Sequence, residues 1–215
     1  MLRPHPKHPN LVVLDHPLIQ HKLTIVRDST TSQSYFRALL NQIAGLMVFE
    51  VTRAFPTEPV KVRTPLEETG GTRINRKITV VPVLRAGLGM AEGVLAVMPE
   101  ARVGHIGVVR DERTLQPVQY LSRLPRDIGA GPVIVIDPML ATGGSASKAI
   151  AMLREAGARD LSMICLVAAP EGVGRLAKDH PGVTVYAAAF DRGLNEHGYI
   201  LPGLGDAGDR LYGTD

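Results

Sequence analysis

From Ile78 to Ala189 the chain alternates short, largely apolar runs with longer mixed stretches. The runs are ITVVPVL (78–84), ARVGHIGVV (101–109), PVIVID (132–137), LSMICLVAA (161–169) and VTVYAAA (183–189). Strands read as continuous apolar runs when both of their faces are buried. The intervening stretches carry helical spacing. RAGLGMAEGVLAVM reads as a loop and then a helix, Ser145 to Ala156 as a helix stopping at Gly157, and Glu171 to Asp179 as a third helix. Glycine just past the last helical residue is a common stop. Buried strands separated by helices predict a parallel sheet flanked by helices.

Outside this rhythm the pattern is weaker. Residues 1–32 read as an irregular arm, followed by a helix over Ser34 to Arg53. Its apolar positions form two stripes, Tyr35-Leu39-Ile43-Met47 and Phe36-Leu40-Ala44, so it should be covered on more than one side. Residues 56–77 read as a connection with short strands, and 110–125 as a long polar loop or exposed ribbon. The last segment, from 190 to 215, has many glycines and no clear period. The pattern predicts a single domain over 1–215, with a parallel α/β core at about 78–189 and a separate tail at 190–215.

Composition narrows the function classes. Of 215 residues 45% are hydrophobic and 4% aromatic, with no Trp, so the core must be aliphatic. Cys165 is the one cysteine and sits inside an apolar run, which predicts a packing role and a reduced setting. The net charge of +3 is spread along the chain, which mildly favours anionic ligands and argues against nucleic acid. No apolar run approaches the roughly 20 residues of a membrane span. The proline-rich start, MLRPHPKHPN, is unlike a signal peptide, and the expected setting is cytoplasmic, away from membranes.

The candidate chemistry begins with VIVIDPMLATGGSASKAI (133–150). A buried strand leads to one acid, Asp137, and then to a loop of small residues, Ala141-Thr142-Gly143-Gly144-Ser145. Ligands of open parallel sheets bind beyond the carboxyl ends of the strands. A loop there that opens a helix offers free backbone N–H groups and the positive end of the helix dipole. Small side chains let a phosphate approach, and Thr142 and Ser145 add hydroxyls. The GxxxxGK[ST] and GxGxxG patterns are both missing, so this is neither a Walker loop nor a dinucleotide loop. A carboxylate repels phosphate, so Asp137 should serve another part of the ligand. Sugar hydroxyls are natural donors to it, and a phosphorylated sugar suits both halves of the motif.

VIVIDPMLATGGS resembles the phosphoribosyl-pyrophosphate (PRPP) signature of type I phosphoribosyltransferases. With ITVVPVLRAGLGM, LVAAPEG, HPLIQHKLTIVRD and GLNEHGYILPGLGDAGDRLYGT, nearly the whole chain resembles the uracil phosphoribosyltransferases. Many members of the wider superfamily carry two adjacent acids in this motif. Here Pro138 follows Asp137, a change shared by the uracil branch. Residues 53–75 carry the resemblance least well.

The resemblance implies a type I phosphoribosyltransferase-like fold, with a small base-binding hood from the tail and the N-terminal arm. It implies transfer of the phosphoribosyl group of PRPP to uracil, giving UMP and pyrophosphate in pyrimidine salvage. Catalytic roles fall on Asp137, Arg85 and Asp206. PRPP contacts fall on Arg85, Arg110, Asp137, Pro138, Met139, Leu140, Ala141, Thr142, Gly143, Gly144, Ser145 and Asp206. Uracil contacts fall on Ile200, Gly205, Asp206 and Ala207. Residues 111–125 would form a closing hood loop. Mg²⁺ is expected, bound mainly through PRPP, with no protein-held metal site; the His16 and His21 pair is read as incidental. The family further implies a homo-oligomer, a dimer or larger, with GTP an activator in some relatives. Transfer to a purine or orotate, a PRPP-sensing regulator and a decayed enzyme are the rival readings. The uracil-type tail, the dispersed charge and the intact motif respectively argue against them.

Overall fold

A computed structural model describes residues 2–110 and 117–214, without the side chains of Arg110 and Pro117. The chain runs β1 (Pro4–His5), β2 (His8–Val13), α1 (Pro17–Arg27), α2 (Gln33–Val51), β3 (Thr57–Arg63), β4 (Glu68–Ile74), β5 (Thr79–Leu84) and α3 (Leu88–Val97). It continues through β6 (Arg102–Val103), β7 (His105–Arg110), β8 (Pro117–Arg123), β9 (Val133–Ile136), β10 (Met139–Leu140), α4 (Gly144–Glu155) and β11 (Leu161–Ala168). It ends in α5 (Pro170–Asp179), β12 (Thr184–Phe190), β13 (Gly193–Leu194), β14 (Ile200–Leu201) and α6 (Ala207–Tyr212).

The main sheet has the order β1-β2-β12-β11-β9-β5-β7-β8. Its centre, β12-β11-β9-β5-β7, is parallel throughout. Successive side chains of a strand point to opposite faces, and here both faces are apolar. Val80, Ile134, Ile136, Ile164 and Leu166 pack beneath α1, α2, α3 and α6. Val81, Val133, Val135, Met163 and Cys165 pack beneath α4 and α5. The sheet is therefore covered on both faces, which is why its strands lack a polar alternation.

Helix α2 buries Phe36, Leu39, Leu40, Ile43, Ala44, Met47 and Val48, so both of its stripes are covered except at Tyr35, which is exposed. The 56–77 connection is a two-stranded hairpin, β3 with β4, standing apart from the main sheet.

Two expectations need correction. Residues 1–32 are not an irregular arm: β2 adds to the sheet beside β12, and α1 packs Ile19, Leu23 and Val26 into the core. The expected hood loop is in part regular structure. Residues 117–123 form β8, antiparallel to β7 at the sheet edge, while 111–116 lie outside the described residues.

Candidate active site

The order of the strands creates a crevice. After β5 the chain moves to β7 on one side; after β9 it moves to β11 and β12 on the other. β5 and β9 meet at this switch, and they stay paired only as far as Pro82 and Ile136. Beyond that point β5 pairs with β7, at Val83–Ile106 and Leu84–Gly107. The β9 side leans the other way: Asp137 N–H donates to the Ile164 carbonyl, and Met139 and Leu140 pair with Val167 and Ala168 of β11. The sheet thus splits at the carboxyl ends of its two central strands, where ligands of such sheets bind.

A cavity of about 360 Å³ lies at this split. Three chain segments line it: Ala86 after β5, Asp137 with Met139 to Ala146, and the tail at Gly198–Ile200 and Gly205–Gly208. Gly87, next to Ala86 but not itself lining the cavity, is a glycine for a steric reason. A Cβ there would stand 2.5 Å from the Ile136 carbonyl oxygen and 2.7 Å from Val83 nitrogen. The turn after β5 therefore fits against β9 only without a side chain.

Asp137 lines the cavity, and the strand ladder runs on past it to Leu140. It stands directly after the end of β9, between that strand and the two-residue β10. Burial pushes its carboxyl up to about 7; the Met139 N–H, donating to Oδ1 at 3.3 Å, pulls weakly the other way. A carboxyl held at that value changes charge near neutral pH and, once ionised, is a strong acceptor for hydroxyl donors.

Gly143 opens α4 with φ +75, the left-handed region that side chains disfavour, and no side chain caps the helix. The Gly144 N–H donates weakly to Thr142 Oγ1 at 3.4 Å, and the next N–H groups of the first turn are left for a ligand, with the helix dipole behind them. A Cβ on Gly143 would not enter the cavity; it would meet Gly172 oxygen at 3.0 Å, on α5. The glycine thus serves the turn and its packing on α5. Beneath this turn, Ser147 donates to Asp179 at 2.8 Å and lies 3.0 Å from His180 Nε2, which joins α4 to the end of α5.

The structure gathers most of the residues singled out in the sequence. Asp137, Met139, Leu140, Ala141, Thr142, Gly143, Gly144, Ser145, Ile200, Gly205, Asp206 and Ala207 all line the one cavity. Pro138 does not; it is buried, and its carbonyl accepts from Leu166 and Val167 N–H groups of β11. Arg85 is exposed beside the cavity, after a cis Leu84–Arg85 peptide bond. Arg110 ends β7 at the same edge of the sheet, and its side chain lies outside the described residues. Asp206 caps α6, accepting from Asp209 N–H at 3.0 Å.

Several residues that shape the cavity carried no assignment from the sequence. Gly198 and Tyr199 line it, and Glu171 of α5 accepts from Leu194 N–H at 3.1 Å, holding the β13–β14 hairpin. Tyr212 and Arg27 hold other parts of the walls. Both lie inside stretches that carry the family resemblance, LYGT and TIVRD, which was the available signal.

A family model described as uracil phosphoribosyltransferase matches residues 13–214. The chain belongs to the uracil phosphoribosyltransferase family. A uracil phosphoribosyltransferase of Dictyoglomus turgidum is 55% identical over 205 residues, covering 95% of this chain and 99% of that protein. One from Streptococcus uberis is 55% identical over 203 residues, covering 94% and 97%. Among solved structures, the AQ2163 protein of Aquifex aeolicus superposes with a TM-score of 0.90 at 39% identity, covering 94% of this chain and 97% of that one. A hypoxanthine-guanine phosphoribosyltransferase of Bacillus anthracis shares the fold at 14% identity, with a TM-score of 0.51 over 74% of this chain and 80% of that one. The uracil phosphoribosyltransferase match begins at Val13, the last residue of β2, and takes in α1 and the tail as far as residue 214, segments poorly legible as regular structure.

Proposed function

We propose that the chain transfers the phosphoribosyl group of PRPP to uracil, giving UMP and pyrophosphate. One observation carries the reading beyond family membership. The split between β5 and β9 places Asp137, the α4 turn and the glycine-rich tail around a single cavity.

In this reading the backbone of 141–145 and the first turn of α4 take the 5′-phosphate. Asp137 accepts from the ribose hydroxyls. Arg85 and Arg110, at the carboxyl ends of β5 and β7, take the pyrophosphate, which a guanidinium can grip with two parallel hydrogen bonds. Backbone groups around Ile200 and Gly205–Ala207 read the base edge. A ring nitrogen of uracil forms the new bond to the anomeric carbon as the bond to pyrophosphate breaks; the electron pair of the broken bond leaves with pyrophosphate, and the proton of that ring nitrogen passes to the pyrophosphate or to water. Positive charge builds on the sugar ring and negative charge on the leaving group. The protein's part is to align the two reactants and to stabilise those charges.

Mg²⁺ fits as a companion of PRPP. Among the described residues no group of three metal-ligating side chains stands together. Asp137 and Asp206 both line the cavity and are the carboxylates that would meet the ion or its waters. When bound, it would neutralise charge on the leaving pyrophosphate.

The same reading makes 1–215 one phosphoribosyltransferase unit, with 190–215 as its base-binding tail. A cytoplasmic setting belongs to the same reading; among the described residues no helix is long and apolar enough to cross a membrane. A homo-oligomer is supported by the apolar groove between α1, α2 and α3, where Leu18, Phe49 and Val97 stand exposed. Activation by GTP rests on the resemblance alone.

The test is conversion of uracil to UMP with PRPP and Mg²⁺, followed by chromatography. UMP that appears only when PRPP is present is the expected result; no UMP from the folded protein would overturn the proposal.

A further inference from the structure

The tail is fastened to α1 by an ion pair that reaches across most of the chain. Arg27, the last residue of α1, meets Asp191 through two parallel bonds: Nη1 to Oδ2 at 2.8 Å and Nη2 to Oδ1 at 2.7 Å. Both partners also grip Gly203. Its N–H donates to Asp191 Oδ2 at 2.8 Å, and its carbonyl accepts from Arg27 Nη1 at 2.6 Å. Asp191 is only 8% exposed, and its own N–H donates to the Ala168 carbonyl at the end of β11. Sheet, helix α1 and tail thus converge on one residue, the sheet through its backbone and the other two through its carboxylate.

Gly203 lies between Ile200 and Gly205, the two places where the tail faces the cavity. With its N–H and its carbonyl both held, this residue is fixed in position and in rotation. Hydrogen bonds between ionised groups are stronger than neutral ones, and a bidentate pair adds direction. Neither Arg27 nor Asp191 lines the cavity, so whatever they do for the base they do through the tail.

We propose that Arg27 and Asp191 are positioning residues for base selection, holding the tail backbone at the spacing that reads the pyrimidine edge. The inference rests on the reading of residues 200–207 as the base site. Arg27→Lys keeps the charge but has no fork, and Asp191→Asn keeps an acceptor for Gly203 N–H but loses the charge. Each should raise the KM for uracil about tenfold, the effect of one weakened charged hydrogen bond, and move the KM for PRPP by less than about twofold. The preference for uracil over cytosine should shrink alongside.

Full steady-state kinetics of the two variants and the wild type, with a thermal melt of each, is the experiment. A rise in the uracil KM alone supports the positioning role. An unchanged uracil KM, or equal rises in both KM values, overturns it. If Asp191→Asn does not fold, the milder Arg27→Lys decides by the same criteria. Wild-type protein that makes no UMP would remove the underlying reading. Wild-type protein that makes UMP beside variants of unchanged selectivity removes only the role of the pair.

Discussion

The Tyr212 hydroxyl donates to the Arg85 carbonyl at 3.0 Å, and its ring lies 5.8 Å from the Arg85 guanidinium carbon. The tail helix therefore touches the turn after β5 at the residue proposed to meet pyrophosphate. Tyr212→Phe keeps the ring and removes the bond. A neutral hydrogen bond contributes about 0.5–1.5 kcal/mol, so the KM for PRPP should rise by roughly 2- to 12-fold. Steady-state kinetics at saturating uracil checks this, and an unchanged KM would detach Tyr212 from the PRPP side.

Asp137 should trade stability for activity. Its carboxyl sits near 7 in the folded protein against an ordinary value of 3.8, because burial disfavours the charge. The folded state therefore holds the proton more tightly. The stability this contributes is full below 3.8 and is lost as pH rises through about 7. Above that, the charged form costs about 2–4 kcal/mol, allowing for the part of the residue open to the cavity. Asp137→Asn should melt at a higher temperature than wild type, by more at pH 8 than at pH 5. It should also lose about 10- to 150-fold in turnover, for one charged acceptor worth about 1.5–3 kcal/mol. In the wild type, kcat/KM for PRPP should fall as pH drops below about 7. Calorimetry and a pH–rate profile read both arms; an Asn variant that melts lower would contradict the burial argument.

Gly143→Ala tests the turn that opens α4. The residue has φ +75, and its Cβ would press on Gly172 oxygen at 3.0 Å. Strain of this kind costs about 1–3 kcal/mol. The melting temperature and PRPP affinity should fall together, because the turn presents the phosphate-facing N–H groups. Calorimetric titration with PRPP beside a thermal melt checks this; wild-type values in both would show that the left-handed turn is dispensable.

Acid stability should depend on Asp127, at the amino end of the sheet. Lys77, at 2.9 Å, and then Arg102 hold its carboxyl down at about 2. A lowered folded value gives stability that is present above 3.8 and lost as pH falls through about 2. Asp127→Asn should be less stable at pH 7 and should show a shallower loss of stability between pH 4 and 2. High salt should shrink the difference, since the group is exposed. Urea unfolding across that range is the measurement.

The central strands were legible because burial on both faces leaves a largely apolar run, least clearly in β7, where His105 enters and Val109 is exposed. Strand β2 was not: HPNLVV is only half apolar, and what makes it a strand is β12, far along the chain. Helix α1 hid because its apolar stripe is only three residues long, Ile19, Leu23 and Val26, in an eleven-residue helix set among prolines and polar residues. The tail hid because a short hairpin and a six-residue helix are too brief to show a period. In the site, Asp137 and the small-residue loop could be read from residue type. Arg27 and Asp191 could not, since a pair 164 residues apart leaves no local pattern. The elevated Asp137 carboxyl was equally out of reach, because burial belongs to the fold.

The central claim is that tail backbone around Ile200 and Gly205–Ala207 selects uracil for transfer from PRPP. Cytosine presents an amino donor where uracil has a carbonyl, so a backbone N–H would face another N–H. Each buried group left unpaired costs about 1–3 kcal/mol, and two cost more, so cytosine should be used at least about a hundredfold less efficiently. 5-Fluorouracil keeps both carbonyls and both ring N–H groups and should be accepted. The deciding measurement is the initial rate of pyrophosphate release at saturating PRPP and Mg²⁺, with uracil, 5-fluorouracil, cytosine or hypoxanthine as the base. Rapid release with the first two and little with the others is the predicted result; comparable turnover of cytosine or hypoxanthine would contradict the account.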